Sequence, residues 1–413
     1  MRFELLVALR YLREGKGQTW LILTGIGVGV AVIIFLSALI GGLQVSLVAR
    51  TLGTQAHVVV RPREEMPRVL PATGNTVRQV QLDRPAQRVR SIVQWQRVQA
   101  EIARLPGVVA TAPTISGAAI AARGDGASSV VVRGIEPGSY RRIVPLDSFL
   151  VAGRIDLDGF RAVIGTELAR DLGLSVGDRF RLRAGTDVTG AASEAASGAY
   201  TVSGLFDLGN RDLNSRWVFV SLRATQSMFG LDGGVSSIEV KGARIYDAEP
   251  LAREITARTG LVADSWMATN AQLLTGLRSQ SASSIMIQTF VVLAVALGIA
   301  SVLAVSVVQK SREIGILRAT GTSTGQVLRV FLVQGAILGL LGSALGVALG
   351  VGLGLFFSNL ARNPDGTSTF PVSLDLVLYL RSAALAVGVG LVAALLPARR
   401  AARMNPADII RSG

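Results

Sequence analysis

Four stretches of this chain are long and apolar enough to cross a lipid bilayer as helices, and every other reading has to accommodate them. A bilayer core takes about 20 mostly apolar residues in α-helix. Residues 20–43, 284–308, 330–357 and 376–396 each meet that length. In hydrocarbon the backbone must satisfy its own hydrogen bonds, which makes helix the expected form. The fourth run carries Arg381 near one end, where a long basic side chain reaches the interface, so an interfacial anchor is the plainer reading than a transport role. The first run is longer than a signal-peptide core and no A-x-A site follows it, so an uncleaved anchor is expected.

Charge then gives the orientation. The formal charge is +14, yet 12 of the 42 Lys and Arg residues lie in 1–19, 309–329 and 397–413, against only Glu4, Glu14, Glu313 and Asp408. Basic segments flanking apolar helices mark the cytoplasmic side. The basicity is therefore topological and calls for no nucleic acid. The expected order is a cytoplasmic amphipathic segment 1–19, helix 20–43, an external domain 44–283 and helix 284–308. A cytoplasmic loop 309–329, helix 330–357, an external loop 358–375, helix 376–396 and a cytoplasmic tail 397–413 complete it.

The 44–283 segment reads as an α+β domain in two lobes, inserted between the first and second helices. Short β-type runs such as Phe180–Arg183, Trp217–Ser221 and Ser237–Lys241 alternate with helical patterns at Ser91–Leu105, Glu167–Leu172 and Ala248–Thr259. One lobe is expected at 55–115 plus 236–268, the other at 116–235. Residues 62–90 are rich in proline and polar residues, and 184–199 in Ala, Gly, Ser and Thr, as loops are. Arg78, Arg84, Arg88, Arg90, Arg97 and Arg104 gather positive charge in one region, with a solvated face as the plain reading and anionic lipid or a partner as the other.

Little here points to bond-making chemistry. Cysteine is absent and His57 is the only histidine, so no thiolate or multi-histidine metal site is expected, and neither is a bound cofactor. G-x-x-x-x-G-K-[ST] does not occur, and Gly25, Gly27 and Gly29 sit inside an apolar helix rather than after a strand, so no nucleotide site is read. Any energy source belongs to another chain. Gly342, Gly346, Gly350 and Gly354 recur every four residues, with Gly335 and Gly339 before them, which makes a smooth helix face for a close neighbour. The loop 309–329 contains a short amphipathic helix with Ile314, Leu317 and Arg318, stopped by Gly321. It suits either a groove on a soluble partner or the lipid surface.

That loop also carries a resemblance. K-S-R-E-I-G-I-L-R-A-T-G at 310–321, V-L-R-V-F-L-V-Q-G at 327–335 and L-P-A-R-R-A-A-R-M-N-P-A-D-I-I-R at 396–411 resemble the permeases of the MacB/FtsX-type ABC transporter superfamily (type VII). The opening F-E-L-L-V-A-L-R-Y-L-R at 3–13, with A-V-I-G-T-E-L-A-R-D-L-G-L-S-V-G-D at 162–178, G-L-F-D-L-G at 204–209 and V-F-V-S-L-R-A-T-Q-S-M-F-G-L at 218–231, is similar to lipoprotein-releasing (Lol-type) permeases. The resemblance implies a bacterial inner-membrane protein with a periplasmic domain, paired with a second permease subunit, identical or different, above a separate cytoplasmic ATPase dimer that binds ATP and Mg. It implies that Arg312, Glu313, Ile314, Leu317 and Arg318 seat a coupling helix against that ATPase. It further implies that lipoprotein or a similar amphiphile enters beside Leu36, Ile40, Leu43 and Leu47 and beside Ile285, Ile287, Thr289 and Phe290, and passes to a periplasmic carrier or adaptor. In the branch's carrier-recruiting subunit a periplasmic hairpin holds proline and basic residues, and 184–199 has neither. The alternatives are a MacB-like or glycolipid-type tripartite exporter and an FtsX-like, non-transporting activator of a cell-wall hydrolase.

Overall fold

The structure, a computed structural model, describes residues 2–63, 89–184, 197–231, 233–360 and 376–404. Most of the 62–90 stretch with Arg78, Arg84 and Arg88, the tip of 184–199, most of the 358–375 loop and the tail beyond 404 lie outside the described residues.

Helices α1 (Arg2–Glu14) and α2 (Lys16–Gly53) open the chain, followed by β1 (Val58–Arg61), α3 (Trp95–Ala103), β2 (Val108–Arg123), β3 (Gly126–Ile135) and α4 (Pro137–Tyr140). Next come β4 (Leu150–Gly153), β5 (Arg161–Gly165), α5 (Thr166–Asp171), β6 (Arg179–Ala184), β7 (Ser197–Phe206), α6 (Arg211–Arg216), β8 (Trp217–Ser221) and α7 (Leu222–Phe229). The last part holds β9 (Ser237–Gly242), α8 (Ala248–Thr259), β10 (Val262–Ser265), α9 (Trp266–Thr269), α10 (Ala271–Gln309), α11 (Ser311–Ala319), α12 (Thr324–Leu360) and α13 (Leu376–Ala402). They form two compact units, Met1–Val48 with Leu273–Gly413, and Ala49–Gln272.

In the first unit α2, α10, α12 and α13 are the four helices with the length and composition to cross a membrane. Their packing is organised by one glycine face of α12. A Cβ added at Gly335 would meet the Gly390 carbonyl oxygen at 2.6 Å, and one at Gly339 the Ala386 oxygen at 2.8 Å, so α13 lies directly on the first half of that face. The second half receives α2: the same test finds Ile26 beside Gly342 and Val30 beside Gly346 at 2.5 Å, and Ile34 beside Gly350 at 3.0 Å. The steps 342, 346, 350 against 26, 30, 34 show that α2 and α12 run parallel. Buried Gly354 extends the row. Gly27 and Gly29 reciprocate from α2, against Leu345 of α12 and Val295 of α10. Between helices in lipid, where burial of apolar surface gives little net drive, such close approach supplies the dispersion contact that holds the bundle together.

The second unit is built on one sheet in the order β10-β1-β9-β2-β3-β8-β5-β7-β4, with β6 pairing both β2 and β7. Strand β2 pairs β9 over its first half, with Thr111 opposite Val240, and β6 near its end, with Ile120 opposite Arg183. The lobe boundary expected at 115/116 thus falls inside β2, and the sheet runs through it unbroken. One apolar cluster gathers Ala121, Val132, Ile164, Leu182, Tyr200 and Val218. Another gathers Ala112, Ile135, Tyr140, Phe206 and Phe219. Beside the second, Arg133 of β3 donates to Glu239 of β9 across β2, and its guanidinium stacks 4.4 Å from the Trp217 ring centroid. His57 is buried, accepts the Gly242 amide proton at 3.2 Å, and has its pKa lowered by burial first and by Lys241 second. It is a neutral structural residue.

Gly346→Leu is expected to lower the stability of the detergent-solubilised protein by about 1–3 kcal/mol through overpacking against α2. Gly388→Ala, where a Cβ meets nothing within 4 Å, is expected to leave it unchanged. Thermal unfolding of the two variants side by side makes the check.

Candidate functional site

The loop expected to meet an ATPase folds as α11 and is held at both ends. At its start Lys310 Nζ donates to Glu14 at 2.5 Å and to Glu313 at 2.7 Å, and it sits 5.5 Å from the centre of the Tyr11 ring. Glu14 also accepts from Arg10 Nε at 2.7 Å, and Gln18 donates to Gln309 at 2.9 Å. At the other end Arg318 donates to the carbonyl of Met404, just past α13. Between these clamps Ile314, 1% exposed, is buried in a cluster with Ala8, Tyr11, Val327, Phe331, Ala398 and Ala401. The N-terminal helix, the loop helix, the base of α12 and the end of α13 are thus one packed block.

The charges reinforce each other. Lys310 is held above the ordinary lysine value by its hydrogen bonds to Glu14 and then Glu313. Glu14 is held below the ordinary carboxylate value by those from Arg10 and then Lys310. A raised lysine stabilises at every pH below its unfolded value and loses that as pH rises through its folded one. A depressed carboxylate stabilises above its unfolded value and loses that as pH falls through its folded one. The cluster therefore contributes in full between the ordinary carboxylate and the ordinary lysine values, which includes neutral pH.

This arrangement places the expected docking residues differently from one another. Ile314 is buried in the protein's own core, and Arg318 is half-buried with one guanidinium nitrogen donating to the Met404 carbonyl. Leu317 is half-buried and lines a crevice with Phe3, Val7 and Tyr11, and Glu313 is occupied by Lys310. Arg312 remains exposed. The residue that sequence reasoning missed is Ile316, which is 54% exposed. With Arg312 and Ala319 it forms an i, i+4, i+7 strip on the outer side of α11. The signal was present in the spacing, but apolar residues occur on both sides of this short helix and only packing tells them apart.

The two rows expected to meet cargo lie at matching depth. Ser37 accepts from Gln288 Nε2 at 3.1 Å and Gln44 Nε2 donates to Ser281 at 2.7 Å, so α2 and α10 run antiparallel with Ile40 level with Ile285 and Leu36 level with Thr289. Leu36, Ile40, Leu43 and Leu47 are half-buried, whereas Ile285, Ile287, Thr289 and Phe290 are exposed. Within one chain polar bridges close the seam, and the exposed α10 row faces outward.

In the second unit β6 adds a feature that the sequence reading passed over. Its alternation buries Phe180, Leu182 and Ala184 and turns Arg179, Arg181 and Arg183 outward. Together with Arg123 they line a concavity floored by Ile120, Ala122, Ala127 and Ala199. Arg123 is paired with Asp178 at 3.0 Å. Among the described residues no three His, Asp or Glu side chains converge as metal ligands would.

A family model described as the MacB-like periplasmic core domain matches residues 19–258, more than half of the chain, and one described as the FtsX-like permease C-terminal matches residues 285–406. The chain belongs to the MacB/FtsX permease family. Its four apolar helices mark it, like other such permeases, as a multi-pass membrane protein. This permease is 27% identical over 431 positions to the lipoprotein-releasing system transmembrane protein LolC of Xylella fastidiosa (strain 9a5c), covering 98% of each chain. To LolC of Neisseria meningitidis serogroup B it is 25% identical over 438 positions, covering 99% of each. Similarity to the macrolide export ATP-binding/permease protein MacB of Neisseria gonorrhoeae is 29% over 114 positions, 28% of this chain and 17% of that one.

Lys310→Glu is expected to loosen α11 by placing three carboxylates together, raising backbone hydrogen exchange across Ile314–Arg318. Adding Glu14→Lys to the same chain is expected to bring exchange back toward the starting level, since opposite charges face each other again. Exchange left high in the double variant would show that the pairing does not hold the helix.

Proposed function

We propose that this protein is the permease subunit of an ATP-driven transporter that extracts lipoproteins, or amphiphiles like them, from the inner membrane and releases them to the periplasm. The single observation that carries the reading is the clamped α11. A helix whose inner face is locked to α1, α12 and α13 and whose outer strip is Arg312, Ile316 and Ala319 is built to receive a push and pass it to the membrane helices. The similarity to LolC proteins across nearly the whole chain supports the choice of cargo class.

In this reading both termini and α11 are cytoplasmic, and the Ala49–Gln272 unit, inserted between the first and second membrane helices, is periplasmic. ATP and Mg are bound by a separate ATPase dimer, a reading supported by the match over 98% of the length of LolC, named as the transmembrane protein of a releasing system. A second permease subunit completes the cavity. The α10 row Ile285, Ile287, Thr289 and Phe290 faces away from its own α2 and is free to meet the Leu36, Ile40, Leu43 and Leu47 side of a neighbour across an acyl chain. The outward arginines of β6 offer a cationic concavity to an acidic periplasmic carrier, with electrostatic complementarity steering the encounter.

The test is reconstitution with the ATPase in membranes holding an acylated lipoprotein. ATP is expected to drive release to a soluble carrier, and small-molecule export without lipoprotein release would favour the MacB-like alternative. Ile316→Asp is expected to abolish ATPase capture without changing thermal stability, because the side chain is exposed, whereas Ile314→Asp should unfold the cytoplasmic block. For the carrier, Arg181→Glu with Arg183→Glu is expected to weaken binding about tenfold or more at low salt and much less at high salt. Titration of carrier against the intact permease at two ionic strengths reads this out.

A further inference from the structure

Helix α1 has one side that the packed block accounts for and one that it does not. Ala8 and Tyr11 are buried against Val327, Val330 and Phe331, and Leu12 is buried as well. Those α12 residues lie near its start, where its long apolar run begins, so α1 lies at the level where α12 would enter a bilayer. On the opposite arc Leu5, Leu6 and Leu9 fall together at helical spacing and are 45%, 68% and 40% exposed. Arg10, Arg13 and Lys16 are exposed beside them. The one acidic residue on that side, Glu14, is already bonded to Arg10 and Lys310, so the charge the arc presents is positive. The exposed apolar strip continues into the first turn and a half of α2 with Trp20 and Leu21.

We propose that this face of α1 is a lipid-binding surface, lying in the inner-leaflet interface with its leucines among the acyl chains and Arg13 and Lys16 on the headgroups of anionic phospholipid. An apolar strip flanked by cations at bilayer level is the arrangement that partitions into an anionic interface, and the tryptophan that follows it suits the same depth. The consequence is mechanical. The carboxylate of Glu14, on this same helix, holds Lys310 at the start of α11, so a lipid-seated α1 is a fixed support beside the helix that receives the push. The inference rests on α12 crossing the membrane and starting on its cytoplasmic side, as in the reading above, and stands apart from the identity of the motor or the cargo.

The chain contains no cysteine, so a single spin label at Leu6→Cys requires no other change in it. The intact permease with its ATPase is placed in nanodiscs of phosphatidylcholine with phosphatidylglycerol, and the label's collisions with oxygen and with a water-soluble nickel chelate are compared. Oxygen collisions are expected to dominate, while a label at exposed Asp125→Cys, in the other unit, reports the reverse. In phosphatidylcholine alone, or with Arg13→Gln and Lys16→Gln, the Leu6 label is expected to shift toward nickel access. Dominant nickel collisions in the anionic discs would leave the face in water and overturn the proposal. Suppression of both collision types would show protein covering it, and would overturn the proposal equally. A label depth equal in all three conditions would reject the anionic headgroup as ligand.

Discussion

The close approach of two helices to one glycine face of α12 is the contact on which the membrane unit depends. Gly335 and Gly339 admit α13, and the same face higher up admits α2 at Gly342, Gly346 and Gly350. Because the two partners share one stripe in succession, a shift of α12 must slide against both at once. Backbone-to-backbone packing of this kind is short-ranged and steep, so it transmits displacement with little slack.

At the end of the unit where α11 lies the same economy appears in polar form. A short loop helix alone would have no fixed orientation, since nine residues are too few for stable helix in isolation. Here Lys310 bridges two carboxylates from different helices and Arg318 caps the end of α13, while Ile314 supplies the buried anchor between them. Each exposed ion pair is worth little by itself. Their value lies in geometry: they orient α11 so that Arg312 and Ile316 face away from the bundle. The buried Arg133–Glu239 pair does comparable work in the other unit, fixing β3 to β9 across β2, where the desolvated charges tolerate no other pairing.

Much of this architecture was legible in the order of residues. The four apolar runs correspond to α2, α10, α12 and α13, and Ala248–Thr259 is α8 with Gly260 in the left-handed conformation at its end, φ 70°. Strand β2 was not legible. Its Val108–Arg123 run holds six alanines with a glycine and a proline, residues depleted in strands, and it is extended because β3, β9 and β6 pair with it. Nor was the arginine row of β6 singled out, although R-F-R-L-R-A carries the period-2 alternation that produces it.

What the sequence determined by itself is whatever depends on solvent and local geometry: which segments suit a bilayer, where the basic flanks lie, and that glycines four apart share a face. What only the tertiary structure decided is which side of each element is taken. Ile314 and Ile316 are the same residue type two positions apart, and one is core while the other is surface. The difference is set by where α1 and α12 pack, because burial is a property of neighbours distant in sequence and no local pattern encodes it.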